Sequence, residues 1–449
     1  MKINSSTIRK LIIIHIFCVL IIQLFITQYS LPWDVIYVFD IMTIIEFGWV
    51  FKKSRTDFSK ANFRYLIWYL IIFTAYLLIT DILNAVPLNL VLMSFRRIYR
   101  FYFFYLACAY LLTLNYVEKI FTLLFQMQLL NFVLTLYQYS VLGLQQDNLG
   151  GLFGIAKGAN AYSNLFICTI SIISLVKFLN RKVNLRTVVF VLSSSLLIGV
   201  LAELKIFFIE LIIIIILAIL LSKPSFRTVK ITLLSGVCIF VSFIFFGRMF
   251  PEQMAIFIEK DKLLEYTTGT TWGYNISRFN AFSDINRIFF HDNILKNLFG
   301  IGFGNSESGS LFYSNYSGYN YTWFTHQVTF VETGYIGFFL YLLFYILIFT
   351  HATISKRRVK EVSMYLTIVQ IMSVICIFSI WYNQSLRIES AYLAFLILSV
   401  SVVACKERSQ LQTERIRLNV NNKNKREISI LGEELSLVKD YKGDKNDEI

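Results

Sequence analysis

From Ile206 to Ser222 the chain reads IFFIELIIIIILAILLS, a run that contains a single charged residue. A helix of this length rises about 25 Å, close to the roughly 30 Å of hydrocarbon that a membrane-spanning helix must cross. Comparable runs recur along the chain, and the predicted spans lie near 11–28, 35–51, 65–80, 98–115, 120–142, 161–177, 187–202, 206–222, 231–247, 328–350, 362–381 and 388–405. The sequence therefore predicts an all-α integral membrane protein, a polytopic bundle of about twelve transmembrane helices.

The composition excludes an ordinary soluble domain. Mean hydropathy is +0.62, 56% of residues are hydrophobic and only 16% are charged. The six cysteines fall within or at the edge of apolar runs and form no C-x-x-C or Cys/His ligand pattern. We therefore expect neither a disulfide framework nor a zinc site. The first run lacks a small-residue cleavage site, so we expect it to be retained as a span.

The positions of Lys and Arg predict the orientation. Loops rich in these residues tend to stay in the cytoplasm, and 52–64, 181–186, 223–230 and 356–360 alternate accordingly when the N-terminus is placed inside. This orientation puts both termini in the cytoplasm. Residues 1–405 then form one membrane domain, and 406–449 form a charged tail that we expect to be partly disordered. The net charge of +14 is spread over short loops, which argues against nucleic-acid binding.

Several cations break this rule because they are predicted at the outer face of the membrane. They are Arg96, Arg97, Arg100, Lys157, Lys205, Arg278, Arg287 and Arg387. An anionic ligand outside the membrane would explain them.

One connection, 248–327, is much longer than the others and is predicted to be a large external loop. Within it, the apolar residues of 277–290 recur at three-to-four spacing, with Phe279 the first of them. This pattern predicts an amphipathic helix on the membrane surface or against the bundle. Arg278 and Arg287 would point to opposite faces of that helix, so we expect only Arg278 to reach a shared site.

The stretch 297–339 concentrates groups suited to ligand binding and chemistry. A glycine turn, Gly300-Ile-Gly-Phe-Gly304, precedes a run rich in Tyr, Asn and Ser that suits carbohydrate, although an interfacial aromatic belt is an equal alternative. His326 and Glu332 follow at the mouth of the tenth predicted span, where burial of ionisable groups is costly. The alternatives are a wet interfacial histidine, and a Glu332 that orients His326 or binds a cation on an adjacent helix.

A second charged pair, Glu203 and Lys205, separates two apolar runs with too few residues for an ordinary loop. Lys205 would help to hold a diphosphate, or it would simply neutralise Glu203 at a tight helical turn. Arg387 is open to both kinds of interpretation.

In order along the chain, Gly150 to Asn160, Glu203 with Lys205, Arg278, the glycine turn, and His326-Gln327 with Glu332-Thr-Gly334 resemble the O-antigen polymerase and O-antigen ligase superfamily of bacterial envelopes. The resemblance covers about 150–340. It implies a fold like the C-type glycosyltransferases, and a metal-independent inverting enzyme that needs no cofactor and uses an undecaprenyl-diphosphate-linked donor.

The resemblance also implies roles for particular residues. Arg278 matches the large-loop arginine that binds diphosphate, His326 the histidine near the reacting groups, and Lys205 a position where the family often has arginine. The expected catalytic residues are His326, Arg278 and Glu332. The expected substrate-binding residues are Lys205, Glu203, Asn160, Gly302, Gly304, Asn305 and Arg387.

The first functional expectation is a polysaccharide polymerase that joins lipid-linked repeat units at the outer face of the bacterial cytoplasmic membrane. Its partners would be a glycan donor, a glycan acceptor, membrane lipids, a chain-length regulator and a flippase. One alternative is an O-antigen ligase that uses the same site. Another is a flippase or transporter of lipid-linked glycans, which Asp40 and Glu46 within the second predicted span keep open. A membrane scaffold without chemistry is the third.

Overall fold

The computed structural model describes residues 5–53, 61–268, 276–306, 316, 320–358 and 361–408. Regular structure within these ranges is helical, with no strand. Seven of the described helices are long and apolar enough to cross a membrane. The protein is therefore an all-α membrane protein.

The helices are, in chain order, α1 (Ser5–Gln28), α2 (Tyr37–Lys53), α3 (Ala61–Leu83), α4 (Leu88–Leu111), α5 (Leu114–Ser140), α6 (Ala159–Leu179), α7 (Leu185–Leu201), α8 (Lys205–Leu221), α9 (Phe226–Met249), α10 (Pro251–Ile258), α11 (Lys260–Thr268), α12 (Ala281–Ile285), α13 (Ile294–Phe299), α14 (Thr325–Arg358), α15 (Ser363–Tyr382) and α16 (391–408). Each of the predicted spans falls on one of the long helices. The seven with sufficient length and apolar content are α1, α3, α5, α6, α9, α14 and α15. The count of twelve spans stays a prediction.

The centre of the bundle is α6. Its most apolar window is 94% buried, the highest value among the seven helices. It packs against α7, α8 and α15, while α14 packs against α15 and α3. Residues 406–408 of the predicted tail continue α16, and the rest of the tail, 409–449, lies outside the described residues.

Helix α4 begins ten residues before the predicted span, which was set at 98–115. Arg96 and Arg97, which precede the predicted span, consequently lie inside the same helix as Arg100. Two carboxylates offset the cost of burying these charges. Arg96 Nε lies 2.6 Å from Asp40 Oδ2, and Arg100 Nη2 lies 3.1 Å from Glu389 Oε1.

The predicted amphipathic helix forms only in part. Helix α12 starts at Ala281 and continues as a π-helical turn through Asn286–Phe290. Phe279 precedes it and is 78% exposed, so it is not part of the helix to which the periodicity assigned it. Phe289 is buried in a small core that includes Phe330 of α14. The element therefore packs against the bundle.

Helix α14 is broken at Gly334, where φ is +62°. The break frees three carbonyl groups that an unbroken helix would have used internally. The Val331 and Glu332 carbonyls accept hydrogen bonds from the Ile301 and Gly302 amides, each at 3.0 Å. The Thr333 carbonyl accepts one from the Tyr76 hydroxyl at 2.5 Å. The span predicted for 328–350 falls on this helix but contains a break at Gly334, and the glycine turn and Tyr76 together satisfy the exposed carbonyls.

Candidate functional site

A polar cavity of about 680 Å³ opens at the end of the bundle where α1 and α15 end and α6 and α14 begin. Its charged lining consists of Arg96, Arg97, Arg100, Lys157, Arg278, Arg387, Asp147 and Glu389. Its aromatic lining consists of Trp33, Phe153, Tyr162, Trp323, Phe324 and Tyr382. Six cations and two acids line the cavity, and two further acids outside the lining, Asp40 and Glu332, pair with Arg96 and Arg387. The remaining excess of positive charge favours an anionic ligand.

Arg278 is surrounded by aromatic rings. Its guanidinium carbon lies 4.6 Å from the Tyr266 ring centroid and 5.0 Å from that of Phe324, and the side chain donates a hydrogen bond to the Tyr266 hydroxyl. No carboxylate among the described residues forms an ion pair with it. Aromatic faces attract a guanidinium without neutralising it, so its charge remains available to a ligand.

The backbone before Arg278 is fixed from two sides. The Ser277 carbonyl accepts a hydrogen bond from Gln327 Nε2 at 3.1 Å. The Ser277 amide and hydroxyl both donate to Asp284 Oδ2, at 2.9 and 2.8 Å. Gln327, which follows His326 in the sequence motif, therefore positions Arg278.

Lys205 lies beside the cavity but does not line it. Its Nζ is 3.0 Å from Glu203 Oε1 and 5.0 Å from the centroid of the Tyr266 ring, the same ring that Arg278 covers. The neutralising pair with Glu203, one of the two alternatives considered for these residues, is what the structure contains. Neither side chain lines the cavity, although Leu204 between them does.

Two acidic residues of the lining, Glu389 and Asp147, were not predicted from the sequence, and Glu389 is the more buried and more highly connected of the two. It accepts hydrogen bonds from Arg100 Nη2 at 3.1 Å and from the Tyr162 hydroxyl at 2.9 Å. It fixes the inner wall of the cavity where α4 and α6 meet the start of α16. The feature of the sequence that could have indicated Glu389 is its position two residues after Arg387, at the edge of the last apolar run.

His326 lies behind the cavity wall. The side chain is 1% exposed, and its Nδ1 is 3.3 Å from the Ile380 carbonyl oxygen. The ring stacks on Trp381 at 5.8 Å and contacts Phe324 at 5.9 Å, centroid to centroid. It does not line the cavity, but it supports Phe324, which does.

Glu332 binds the cation of a neighbouring segment. Arg387 Nη1 lies 3.1 Å from Glu332 Oε2, and both side chains are buried. The other oxygen of Glu332 accepts hydrogen bonds from the Gly304 amide at 3.2 Å and from the Ser306 hydroxyl. Glu332 therefore joins the glycine turn to Arg387, which lines the cavity, and does not itself face the cavity.

The glycine turn packs against the connection between α3 and α4. A Cβ on Gly302 would lie 2.3 Å from Val86 Cγ2, and one on Gly304 would lie 2.8 Å from the Leu90 carbonyl oxygen. Gly302, Gly304 and Asn305 are not among the residues that line the cavity. Most of the aromatic run that follows, 307–315 and 317–319, lies outside the described residues.

Asn160, by contrast, lines the cavity at the start of α6. Its Nδ2 donates to Asp147 Oδ1 at 2.6 Å. Gly158 precedes the helix with φ of +91°, a conformation that favours glycine. The N-terminal end of α6 thus faces the same space as the arginines, which adds to its attraction for anions.

No family model matches the chain, and no curated protein is significantly similar to it. In the part of the chain that the structure describes, no group of three His, Cys, Asp or Glu side chains is placed to hold a metal ion. The fold and the cavity together define a helical membrane protein with an arginine-rich, aromatic-lined site at one end of the bundle.

Proposed function

We propose that the protein is a polysaccharide polymerase that joins oligosaccharide repeat units carried on undecaprenyl diphosphate. The observation that carries this proposal is the juxtaposition of Arg278, free of any described carboxylate, with a cavity lined by cations and aromatic rings. Such a cavity suits a molecule that is a phosphate ester at one end and a sugar at the other. Arginine holds diphosphate oxygens, and rings stack on sugar faces.

The reaction is a metal-independent inverting transfer. A hydroxyl oxygen of the acceptor glycan forms a bond to the anomeric carbon of the donor, and the bond from that carbon to the diphosphate oxygen breaks. Arg278 stabilises the negative charge that develops on the leaving diphosphate. The hydroxyl proton passes to a carboxylate on the lining, Glu389 or Asp147. His326 positions Phe324 behind Arg278.

The proposed setting is the outer face of a bacterial cytoplasmic membrane, with both termini inside. A flippase would deliver the lipid-linked units, and a chain-length regulator would limit the product. A ligase would use the same donor site with a lipid or protein acceptor.

Purified protein in proteoliposomes, supplied with one lipid-linked repeat unit, tests the proposal. A ladder of lengthened glycans on a gel is the expected result. Transfer of single units to a separate acceptor without lengthening would indicate the ligase. If the lipid-linked unit is neither consumed nor lengthened, the result contradicts both the polymerase and the ligase.

A transporter of lipid-linked glycans is the second candidate, because ionisable groups are buried inside the bundle. His15 Nδ1 lies 3.2 Å from Glu46 Oε1, with neither side chain exposed. Glu210 is also fully buried and accepts a hydrogen bond from Asn164 Nδ2 at 2.7 Å. Movement of the lipid-linked unit between leaflets, without lengthened products, would favour this function over polymerisation.

A further inference from the structure

A second and much less polar space adjoins the cationic cavity. It is a groove of about 930 Å³ whose floor is α4 and whose walls are α2 and α3. Ile44 and Phe51 of α2 and Ile71 of α3 line it and are 67%, 58% and 52% exposed. These large apolar side chains line a channel along the side of the bundle instead of packing against a neighbouring helix.

The two walls are held apart on a shared floor. Helix α2 packs along α4. Helix α3 reaches α4 through hydroxyl contacts, Tyr69 to Tyr102 at 3.3 Å and Thr74 to Tyr99 at 2.5 Å. The groove is therefore built by the packing of the bundle.

The groove has a charged end and an apolar end. Arg96 and Arg100 line both the groove and the cationic cavity, so the two spaces meet at these side chains. Asp40 lies at the same end and Phe51 at the other. Asp40 and Phe51 are eleven positions apart, a rise of about 16 Å along α2 and roughly half of a hydrocarbon core of about 30 Å.

This arrangement matches a long-chain lipid with an anionic headgroup. The chain would lie along the groove for the depth of about one leaflet. Its headgroup would reach Arg96, whose side chain is 31% exposed and lies over the Tyr37 ring, at the junction with the cavity. Asp40 and Glu389 compensate only part of the cavity's positive charge, which leaves attraction for a phosphate.

We propose that this groove binds the hydrocarbon chain of a polyprenyl diphosphate, with Arg96 at the end where the diphosphate enters the cationic cavity. The identity of the lipid as the glycan carrier rests on the proposed function. The location of the chain rests on the groove alone.

The test is lipid binding to the purified full-length protein after delipidation, measured with undecaprenyl diphosphate and with inorganic pyrophosphate as separate probes. Ala75 is an exposed residue of the groove wall, so Ala75→Trp fills the groove without changing any charge. Leu129→Trp on α5, at a side chain 54% exposed outside the groove, is the matched control.

We expect Ala75→Trp to weaken undecaprenyl diphosphate binding by about tenfold or more, since exclusion of even two CH₂ groups from an apolar site has about that effect. Pyrophosphate binding should be unchanged in this variant. Arg96→Ala should weaken binding of both probes, and Leu129→Trp neither. Thermal unfolding checks that each variant is folded, and Ala75→Leu replaces Ala75→Trp if the larger side chain prevents folding.

Two results would overturn the proposal. One is undecaprenyl diphosphate binding that is unaffected when the groove is filled. The other is a phospholipid, tested as phosphatidylglycerol, that competes equally well for the groove. If the groove variants lose lipid binding as expected while the wild-type protein makes no polymer, the proposed function fails and the lipid site stands.

Discussion

Arg278 differs from its neighbours in what surrounds its charge. Arg100 and Arg387 are held by Glu389 and Glu332, each at 3.1 Å, so their charges are largely compensated within the protein. Arg278 is instead covered by aromatic rings. The first two arginines therefore shape the cavity, and Arg278 is the one placed to respond to a ligand.

His326 should act through packing. We expect His326→Ala to reduce polymer formation because Phe324 loses its support, and His326→Phe to restore it because a ring again fills the space beside Trp381. Product ladders from equal amounts of folded protein measure both variants. Inactivity of His326→Phe equal to that of His326→Ala would show instead that the imidazole nitrogens are required.

Glu332 should matter to stability. Glu332→Gln leaves Arg387 buried without its carboxylate, and we expect a loss of about 3 kcal/mol in the free energy of unfolding. Unfolding in detergent, followed by fluorescence, measures it. The control is Glu259→Gln, whose pair with Lys262 is about half exposed, and it should change stability by less than about 0.5 kcal/mol. An equal effect of the two substitutions would contradict the assigned role of Glu332.

At the scale of elements, the break in α14 organises the site. The first part of the helix carries Gln327 and Glu332, which position Arg278 and Arg387. Two of the three carbonyls freed at Gly334 accept hydrogen bonds from the glycine turn, and this turn also places the Gly304 amide against Glu332. The two glycine motifs of the sequence therefore form one interlocked backbone structure.

Gly334→Ala should disturb this structure strongly. An added Cβ would lie 2.5 Å from the Leu298 carbonyl carbon at a backbone φ of +62°. We expect a loss of about 2 kcal/mol or more in the free energy of unfolding. Gly236→Ala in α9, where a Cβ meets nothing within 4 Å, should be neutral or raise stability by up to about 1 kcal/mol. Thermal unfolding compares the two, and a Gly334→Ala protein as stable as the wild type would contradict the interlock.

The sequence predicted where helices lie better than where they start and break. The runs of apolar residues located every long helix, because membrane insertion depends on local hydropathy, which a sliding window along the sequence measures. The start of α4 was missed because three arginines within five residues lower the local hydropathy, and their partners Asp40 and Glu389 are distant in sequence. The glycines predicted a tightly turned backbone. Their tertiary contacts with Val86 and Leu90 could not be predicted, because nothing in the sequence around the glycines indicates these partners.

The same limit applies to the site. Arg278 and Asn160 were predicted near the ligand, and both line the cavity. Gly302, Gly304 and Asn305 were predicted there too, but they pack away from it. Sequence order alone does not distinguish a residue that faces a cavity from one that supports its wall.

For the whole molecule, both the cavity and the charged mouth of the groove lie at one end of the bundle. The predicted orientation places this end outside. We expect a membrane-impermeant maleimide to label Arg287→Cys on intact cells, because its side chain is 73% exposed at that end. Lys182→Cys, exposed at the connection between α6 and α7, should be labelled only after permeabilisation. Labelling of the wild-type chain measures the background from its native cysteines. The reverse labelling pattern would show that the orientation is opposite to the predicted one.

The most direct measurement is polymer formation by Arg278→Ala and Arg287→Ala in the same proteoliposomes. Both changes remove one arginine from the same segment, but Arg287 is exposed and pairs only weakly with Asp284 at 3.5 Å. We expect Arg278→Ala to lose about a hundredfold or more in activity, as removal of a group that stabilises developing charge does. Arg287→Ala should match the wild type. Normal polymer length and amount from folded Arg278→Ala protein would contradict the assignment of Arg278 as the diphosphate-binding residue.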